Sequence, residues 1–190
     1  MTRVGIYPGS FNPPTTAHLA IASAARDQRG LDRVVLAHSA RVLGKGEVER
    51  PLFHHRVEVL EALAAENEPW LETVVTEHQL LVEIAAGYDV VIMGADKWHQ
   101  IHEISWYADR GERDAAIAAL PEVAVAPRPP LPVPDELALA VEPPTIHGIS
   151  STHARAGRLE LMVPAAQAFA ERTGAWIDLP RYERWLASSG

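Results

Sequence analysis

A short turn rich in glycine, proline and hydroxyl residues follows the first apolar run of the chain. The run Arg3–Tyr7 has the composition of a strand, and Gly9, Asn12 and several prolines then interrupt regular structure. Gly9 lets the backbone approach a ligand closely, and a helix is predicted from Thr16 to about Asp27. Because the start of a helix offers free N–H groups, this junction has the parts of an anion site.

Two side chains at the start of that helix could act on a bound phosphate. Thr15 is a suitable N-cap, and His18 lies one turn further along on the same face. Both would point towards the carboxyl end of the preceding strand, where open α/β sheets bind their ligands. Spacing alone leaves two interpretations equally open: a phosphate site, or a helix cap beside a histidine that only packs.

A second hydroxyl-rich segment lies late in the chain. Ser150, Ser151 and Thr152 lie at the start of a helix predicted near Thr152–Arg158, and Arg155 lies one turn into it. Such a helix start can donate N–H and O–H groups to phosphate oxygens, and a guanidinium can bind two of them at once. Taken alone, this segment favours the simpler interpretation of a serine-rich cap with a solvated arginine.

Together, the two segments resemble the signatures of the nucleotidylyltransferase family. The (His/Thr)-x-Gly-His signature is similar to Thr15–His18, with Ala17 in the glycine position, and the Ile-Ser-Ser-Thr-x-x-Arg signature is similar to Ile149–Arg155. Within the family, the resemblance is closest to the nicotinate and nicotinamide mononucleotide adenylyltransferases. Further similarities follow in the family's order: Gly94-Ala95-Asp96, Arg128-Pro129 and Leu161-Met162-Val163-Pro164.

The resemblance implies adenylyl transfer from ATP to nicotinate or nicotinamide mononucleotide, with release of pyrophosphate. It implies that His18 and Thr15 are catalytic and that a Mg²⁺ ion is bound through the ATP phosphates. The residues implied in ATP and phosphate binding are Gly9, Ser10, Phe11, Ser150, Ser151, Thr152 and Arg155. Those implied in binding the rest of the substrates are Asn12, Gly94, Asp96, Trp98, Trp106 and Arg128.

Several alternatives remain open at this stage. The acceptor could be another phosphorylated molecule such as phosphopantetheine, the nucleotide could be CTP, or the chain could be a non-catalytic nucleotide sensor. Either Trp98 or Trp106 could stack on a pyridine ring, and Asp96 could instead be a helix N-cap. We expect Lys45 to be solvated in a loop that could close over substrate.

Histidine pairs elsewhere in the chain do not predict a metal centre. His99 and His102 fit no catalytic zinc motif, because a third ligand is missing. His54 and His55 are expected to form a polar helix face beside Arg56. We therefore predict no metal site made of protein ligands.

Segments rich in β-forming residues alternate with helical segments along the chain, and these elements must position the residues named above. This alternation predicts an α/β fold with a doubly wound parallel sheet in a Rossmann-like arrangement. Further strands are predicted at Arg33–Ala37, Leu71–Thr76, Asp89–Met93, Glu122–Ala126 and Thr145–Ile149. Further helices are predicted at Pro51–Glu66, Gln79–Ala86, Trp98–Leu120 with a break near Gly111, Pro164–Thr173 and Pro180–Ala187. The C-terminal helices would complete the fold.

Composition sets the remaining limits. The 190 residues suit one nucleotidylyltransferase domain spanning residues 1–190, and 17 basic against 25 acidic residues give a net charge of −8. This sign argues against nucleic-acid binding, and the absence of cysteine excludes disulfides and thiolate metal sites. With no long apolar run, we expect no signal peptide, no membrane association and a cytoplasmic location. Homo-oligomerisation is left open.

Overall fold

One five-stranded parallel sheet forms the centre of the fold. The computed structural model describes residues 2–39, 50–143, 146 and 148–189. The strands lie in the order β3-β2-β1-β4-β5, and every neighbouring pair is parallel. They are β1 (Val4–Gly9), β2 (Arg33–Ser39), β3 (Leu71–Thr76), β4 (Val90–Gly94) and β5 (Glu122–Ala126). The order reverses between β1 and β4, which confirms the predicted doubly wound parallel sheet.

Eight helices connect and flank the strands in the described part of the chain. They are α1 (Thr16–Gln28), α2 (Phe53–Ala65), α3 (Leu81–Ile84), α4 (Ala95–Gln100), α5 (Arg110–Ala118), α6 (Ser151–Arg155), α7 (Pro164–Thr173) and α8 (Leu179–Ser189). Short 3₁₀ turns occur at Ile104–Trp106 and Leu159–Leu161. None of the helices in the described ranges is both long and apolar enough to cross a lipid bilayer.

Alternating residues of the central strands build two separate apolar cores, one on each face of the sheet. In β2, Val34 and Leu36 belong to the core that α1, α2 and α7 cover. Val35 and Ala37 belong to the other core, which includes residues of α3, α4 and α5. Successive side chains of a strand point to opposite faces, so a strand covered on both sides must be apolar throughout. This explains the continuous apolar runs in the sequence.

The predicted strand at Thr145–Ile149 is wrong. Ile146 N–H donates to the carbonyl of Pro143, and Ile149 N–H donates to the carbonyl of Ile146, at 2.9 Å each. These i to i+3 bonds form consecutive turns, so the described residues of this segment do not pair with the sheet. The outer edge of β5 is instead bridged by Ala138. The apolar side chain of Ile146 contributes to the core without being in a strand.

The helical stretch predicted over Trp98–Leu120 is divided differently from the prediction. The helix begins earlier, at Ala95, and α5 begins only at Arg110. Asp109 caps α5, because its carboxylate accepts the N–H of Glu112 at 2.9 Å. The break predicted near Gly111 therefore lies at residues 101–109, between α4 and α5.

The prediction of a polar face at His54 and His55 beside Arg56 is wrong for His55 and Arg56. Both side chains are buried, whereas that of His54 is exposed. The Nδ1 of His55 lies 2.6 Å from the hydroxyl of Tyr182, which belongs to α8. A C-terminal helix therefore covers a face of α2 for which the local sequence predicted exposure to solvent.

Candidate active site

A cleft with a volume of about 880 Å³ opens at the carboxyl edge of the sheet. It is lined by the last residues of four strands: Gly9, Ser39, Gly94 and Ala126. It lies where the strand order reverses between β1 and β4, the usual ligand site of doubly wound sheets. Its size is within the usual range of small-molecule sites, about 300–1,000 Å³.

Thr15 and His18 meet on the wall of this cleft as a capping pair. Thr15 is the N-cap of α1, and its backbone N–H donates to Nδ1 of His18 at 2.9 Å. The hydroxyl Oγ1 of Thr15 also lies 2.9 Å from the same nitrogen. Because Nδ1 accepts a backbone N–H, the proton of the neutral imidazole must be on Nε2.

Burial keeps the His18 ring neutral at ordinary pH. Desolvation lowers the pKa of His18 to about 4. At pH 7 the ring therefore offers one donor, Nε2–H, whose position is set by the cap. His18 and Thr15 both line the cleft, so the ring does not lie wholly within the core.

The side chain of Phe11 packs against the ring of His18 and does not line the cleft. Its side chain is 1% exposed, and the rings of Phe11 and His18 meet edge-on with centroids 5.2 Å apart. A Cβ placed on Gly9 would lie 2.8 Å from the ring atom Cζ of Phe11, closer than packed carbon atoms allow. The implied role of Phe11 in phosphate binding stays a prediction, and a side chain at residue 9 would collide with this ring.

The N-terminus of α6 is tied to the β1–α1 turn, which comprises residues 10–15. Ser151 Oγ donates to the carbonyl of Pro13 at 2.8 Å. The guanidinium of Arg155 donates to the carbonyl of Asn12 and, at 3.2 Å, to Oγ1 of Thr152. Ser150 caps the helix by accepting the N–H of His153 at 3.2 Å. The two hydroxyl-rich segments of the sequence thus lie together around one cleft.

Asn12 makes hydrogen bonds to other residues of the protein and does not line the cleft. Its Oδ1 accepts the indole N–H of Trp176 at 2.6 Å, and its carbonyl accepts from Arg155. Asn12 is also absent from the residues that line the cleft. The implied role of Asn12 in substrate binding stays a prediction.

Asp96 and Arg128, which follow β4 and β5, form an ion pair on the wall of the cleft. Arg128 NH1 lies 2.7 Å from Oδ2 of Asp96, and their side chains are 42% and 61% exposed. An exposed pair of this kind contributes little to folding, about 0–1 kcal/mol. The ion pair can therefore break at low cost, and each group can then bind a ligand instead. The alternative of Asp96 as an N-cap is wrong, because Gly94 occupies that position of α4.

Trp106, and not Trp98, belongs to the cleft. Trp98 packs edge-on against His102, with ring centroids 4.3 Å apart, and does not line the cleft. The Nε1 atom of Trp106 is buried and makes no hydrogen bond within the described part of the structure. A buried donor of this kind usually has a partner, which a bound ligand could supply.

The predicted residues divide into two groups. The cleft brings together Gly9, Ser10, Thr15, His18, Gly94, Asp96, Trp106, Arg128, Ser150, Ser151, Thr152 and Arg155. Phe11, Asn12 and Trp98 are not among its lining residues. Lys45 lies outside the described residues.

Sequence reasoning missed the segment that follows β3. His78, Gln79 and Leu80 line the cleft, and so does Tyr107 beyond Trp106. Their signal was available in part, because residues directly after a parallel strand lie at the ligand edge of the sheet.

A group of side chains able to hold a metal lies elsewhere. Among the described residues, the one such group is His54, His55 and Glu58 on α2, and none of the three lines the cleft. His99 and His102 instead bond to the carbonyls of Pro132 and Trp98, at 2.7 Å each.

The sequence of this chain matches a known protein family. The family described as cytidylyltransferase-like matches residues 6–157, a range that includes every cleft residue predicted from the sequence. The chain belongs to this family. Its members are nucleotidyltransferases, which confirms the predicted resemblance at the level of the family.

Several relatives share a single name, probable nicotinate-nucleotide adenylyltransferase. The protein of Bordetella petrii is 32% identical over 154 residues, covering 73% of this chain and 72% of its own. That of Salinibacter ruber is 41% identical over 64 residues, covering 34% and 33%, respectively. That of Streptococcus pneumoniae is 34% identical over 124 residues, covering 54% and 57%. The chain thus spans less than two thirds of the last two relatives.

A solved structure agrees with the fold of this family member. The nicotinic acid mononucleotide adenylyltransferase of Plasmodium falciparum, complexed with NaAD, superposes with a TM-score of 0.50. The alignment covers 82% of this chain and 83% of the other at 17% sequence identity. At that identity, the likeness supports the α/β fold alone.

Proposed function

We propose that this nucleotidyltransferase transfers the adenylyl group of ATP to nicotinate mononucleotide or nicotinamide mononucleotide. The observation that carries the proposal is the meeting of His18 and the N-terminus of α6 around one cleft, joined by the bonds of Ser151 and Arg155 to the β1–α1 turn. The shared name of the relatives supports the choice of acceptor.

The reaction requires positioning more than covalent help. A phosphate oxygen of the mononucleotide attacks the α-phosphorus of ATP, the bond from that phosphorus to the bridging oxygen breaks, and pyrophosphate leaves with the bonding electrons. Catalysis then depends on holding the two phosphates in line and on neutralising the charge that develops.

His18 is suited to the second of these tasks. We expect its Nε2–H to donate to an oxygen of the α- or β-phosphate, with the Thr15 cap holding the ring in place. The donor is fixed before the ligand binds, so little reorganisation is required in the transition state.

The α6 end of the cleft would hold the remaining phosphates. Thr152 presents a hydroxyl donor at the N-terminus of α6, and Arg155 presents the N–H groups that it does not donate to Asn12 and Thr152. Ser151 would donate to a phosphate oxygen in place of the carbonyl of Pro13. Arg128 and Asp96 would contact the nucleoside part, and the indole N–H of Trp106 would meet an acceptor on the second substrate.

Mg²⁺ enters the proposal as part of the substrate, MgATP. No cage of three or more imidazole and carboxylate ligands lines the cleft among the described residues, and Mg²⁺ commonly binds through phosphates and water. The donor set therefore fits an ion that arrives with the phosphates and neutralises their charge.

The test is pyrophosphate release with a panel of acceptors. Purified protein with MgATP should release pyrophosphate when nicotinate mononucleotide or nicotinamide mononucleotide is added, and mass spectrometry should detect the corresponding dinucleotide. Phosphopantetheine with ATP, and each mononucleotide with CTP, are the competing reactions. Binding of ATP without turnover on any acceptor would support a nucleotide sensor and would contradict the proposal.

A further inference from the structure

The C-terminal part of the chain reaches back to the β1–α1 turn. Val163 N–H donates to the carbonyl of Pro14 at 3.3 Å, and Thr16 Oγ1 donates to the carbonyl of Leu161 at 3.4 Å. Thr15 also forms an isolated β-bridge with Met162. The turn and the start of α1 are therefore held from one side by residues that lie at least 145 positions later in the chain.

Trp176 makes the most distant of these contacts. Its indole N–H donates to Oδ1 of Asn12 at 2.6 Å, while the carbonyl of Asn12 accepts from the guanidinium of Arg155. Asn12 is thus held at its side chain by Trp176 and at its backbone by Arg155. A shift of Asn12 would move a partner of the guanidinium that faces the cleft.

The backbone on either side of this bond is strained. Among the described residues, the two non-glycine residues with positive φ are Phe11, at 40°, and Trp176, at 68°. Bulky residues adopt this region only where surrounding contacts hold them there, and such strain concentrates at functional sites. Phe11 directly precedes Asn12, so both strained residues flank one hydrogen bond.

We propose that Trp176 is a positioning residue for the phosphate site. It does not line the cleft, and it lies outside residues 6–157, the range that matches the family. Its influence passes through Asn12, which keeps the β1–α1 turn and the Arg155 guanidinium in the arrangement that a polyphosphate requires. The inference rests on the proposed function for the identity of that ligand.

The variant that isolates this role is Trp176→Phe. A phenylalanine ring lacks the indole donor but can keep the edge-on contact with Phe169, whose ring centroid lies 5.8 Å from that of Trp176. Trp70→Phe is the matched control, since Trp70 packs in the same core beneath Arg26 and does not line the cleft.

Two measurements separate positioning from general stability. In hydrogen exchange without ligand, residues 10–18 should exchange several-fold faster in Trp176→Phe than in the wild type, and α7 and α8 should not. The affinity for α,β-methylene-ATP should fall by about tenfold, the effect of one lost hydrogen bond. Trp70→Phe should leave both quantities unchanged.

A second variant tests the route through Asn12. Asn12→Leu should reproduce both effects, and the Trp176→Phe/Asn12→Leu double variant should be no worse than Asn12→Leu alone, because both changes remove one bond. Additive losses in the double variant would show that Trp176 acts by another route and would contradict the proposal.

Other results would also overturn it. Unchanged exchange at residues 10–18 in Trp176→Phe would show that Trp176 does not hold the turn. Faster exchange throughout α7 and α8 would show a structural role only. Since the exchange measurement contains no ligand, it is independent of the transfer reaction. A turn-specific change in a protein that makes no dinucleotide would therefore refute the proposed function and leave the positioning role intact.

Discussion

Individual side chains in the cleft are fixed in place before a ligand binds. The ring of His18 is held by the N–H of Thr15 on one edge and by the ring of Phe11 beside it. Its Nε2–H therefore has a defined direction at no further entropic cost. The capping bond also excludes the other neutral tautomer, in which Nδ1 would carry the proton.

Removal of this donor should slow the reaction far more than it weakens binding. We expect His18→Ala to lower kcat for pyrophosphate release by about 10²–10³, the usual effect of losing one donor to the transition state. His18→Asn is the companion variant, because its short side chain can still accept the Thr15 N–H but cannot reach the phosphate. Full turnover by either folded variant would show that His18 is not catalytic.

Side-chain roles could be predicted from the sequence only where they depend on local spacing. The contact between Thr15 and His18 could be predicted, because the two residues lie three positions apart at the start of one helix. The burial of Phe11 and the engagement of Asn12 could not, because their partners His18 and Trp176 are brought to them by turn geometry and by tertiary packing. The resemblance that implied direct contacts for both residues carried no information on these partners.

Helices, strands and the turns between them determine where these side chains lie. Strands β3 and β5 have the predicted bounds, because each is a run rich in residues with high strand propensity that begins shortly after a proline. The predicted strand at Thr145–Ile149 failed because Ile146 is buried in the core from a turn. An apolar pattern reports burial, and it specifies a strand only where a neighbouring strand is available.

The β1–α1 turn should be sensitive to a single methyl group. We expect Gly9→Ala to destabilise the protein by about 1–3 kcal/mol, because the new Cβ would overlap the ring of Phe11 that supports His18. At this chain length, thermal unfolding should shift downwards by roughly 2–4 °C per kcal/mol. Turnover should fall as well, since Phe11 can relieve the overlap only by moving against His18.

Gly148→Ala is the matched control for this turn. A Cβ at Gly148 meets no atom within 4 Å, so the variant should unfold within about 0.5 kcal/mol of the wild type. Equal stability of the Gly9→Ala and Gly148→Ala variants would show that the approach of the chain to Phe11 does not restrict residue 9.

Three histidines oppose folding in acid, because burial lowers the pKa of His18, His38 and His55 in the folded state. Burial lowers the pKa of both His18 and His38 to about 4, and the nearby Arg56 adds to the effect at His38. In the unfolded chain, a histidine has a pKa of about 6.5, so the unfolded state binds more protons between these values. The free energy of unfolding should therefore be unaffected by these histidines above about pH 6.5 and should decrease as the pH falls towards 4.

Urea unfolding at several pH values measures this dependence. The free energy of unfolding should fall by on the order of 1 kcal/mol per pH unit for each of His18 and His38 between about pH 6.5 and 4. His38→Gln should flatten the curve, whereas His102→Gln, which changes an exposed ring, should not. A curve for His38→Gln that is parallel to the wild type would contradict the assignment to His38.

The overall architecture could be predicted largely from the sequence. Continuous apolar strands separated by helices specify a parallel sheet with two covered faces, and the two cores on opposite sides of β2 confirm it. Packing of the C-terminal helices could not be predicted in this way, since the contact of His55 with Tyr182 joins residues 127 positions apart. The expectation of one domain over residues 1–190 stays a prediction.

The most direct test of the central claim is a crystal structure with α,β-methylene-ATP and Mg²⁺. We predict that Nε2 of His18 lies about 2.7–3.1 Å from an oxygen of the α- or β-phosphate. The same polyphosphate should accept donors from the N-terminus of α6 and from Arg155. A nucleotide bound with its phosphates away from His18, or in contact with only one of the two segments, would contradict the account.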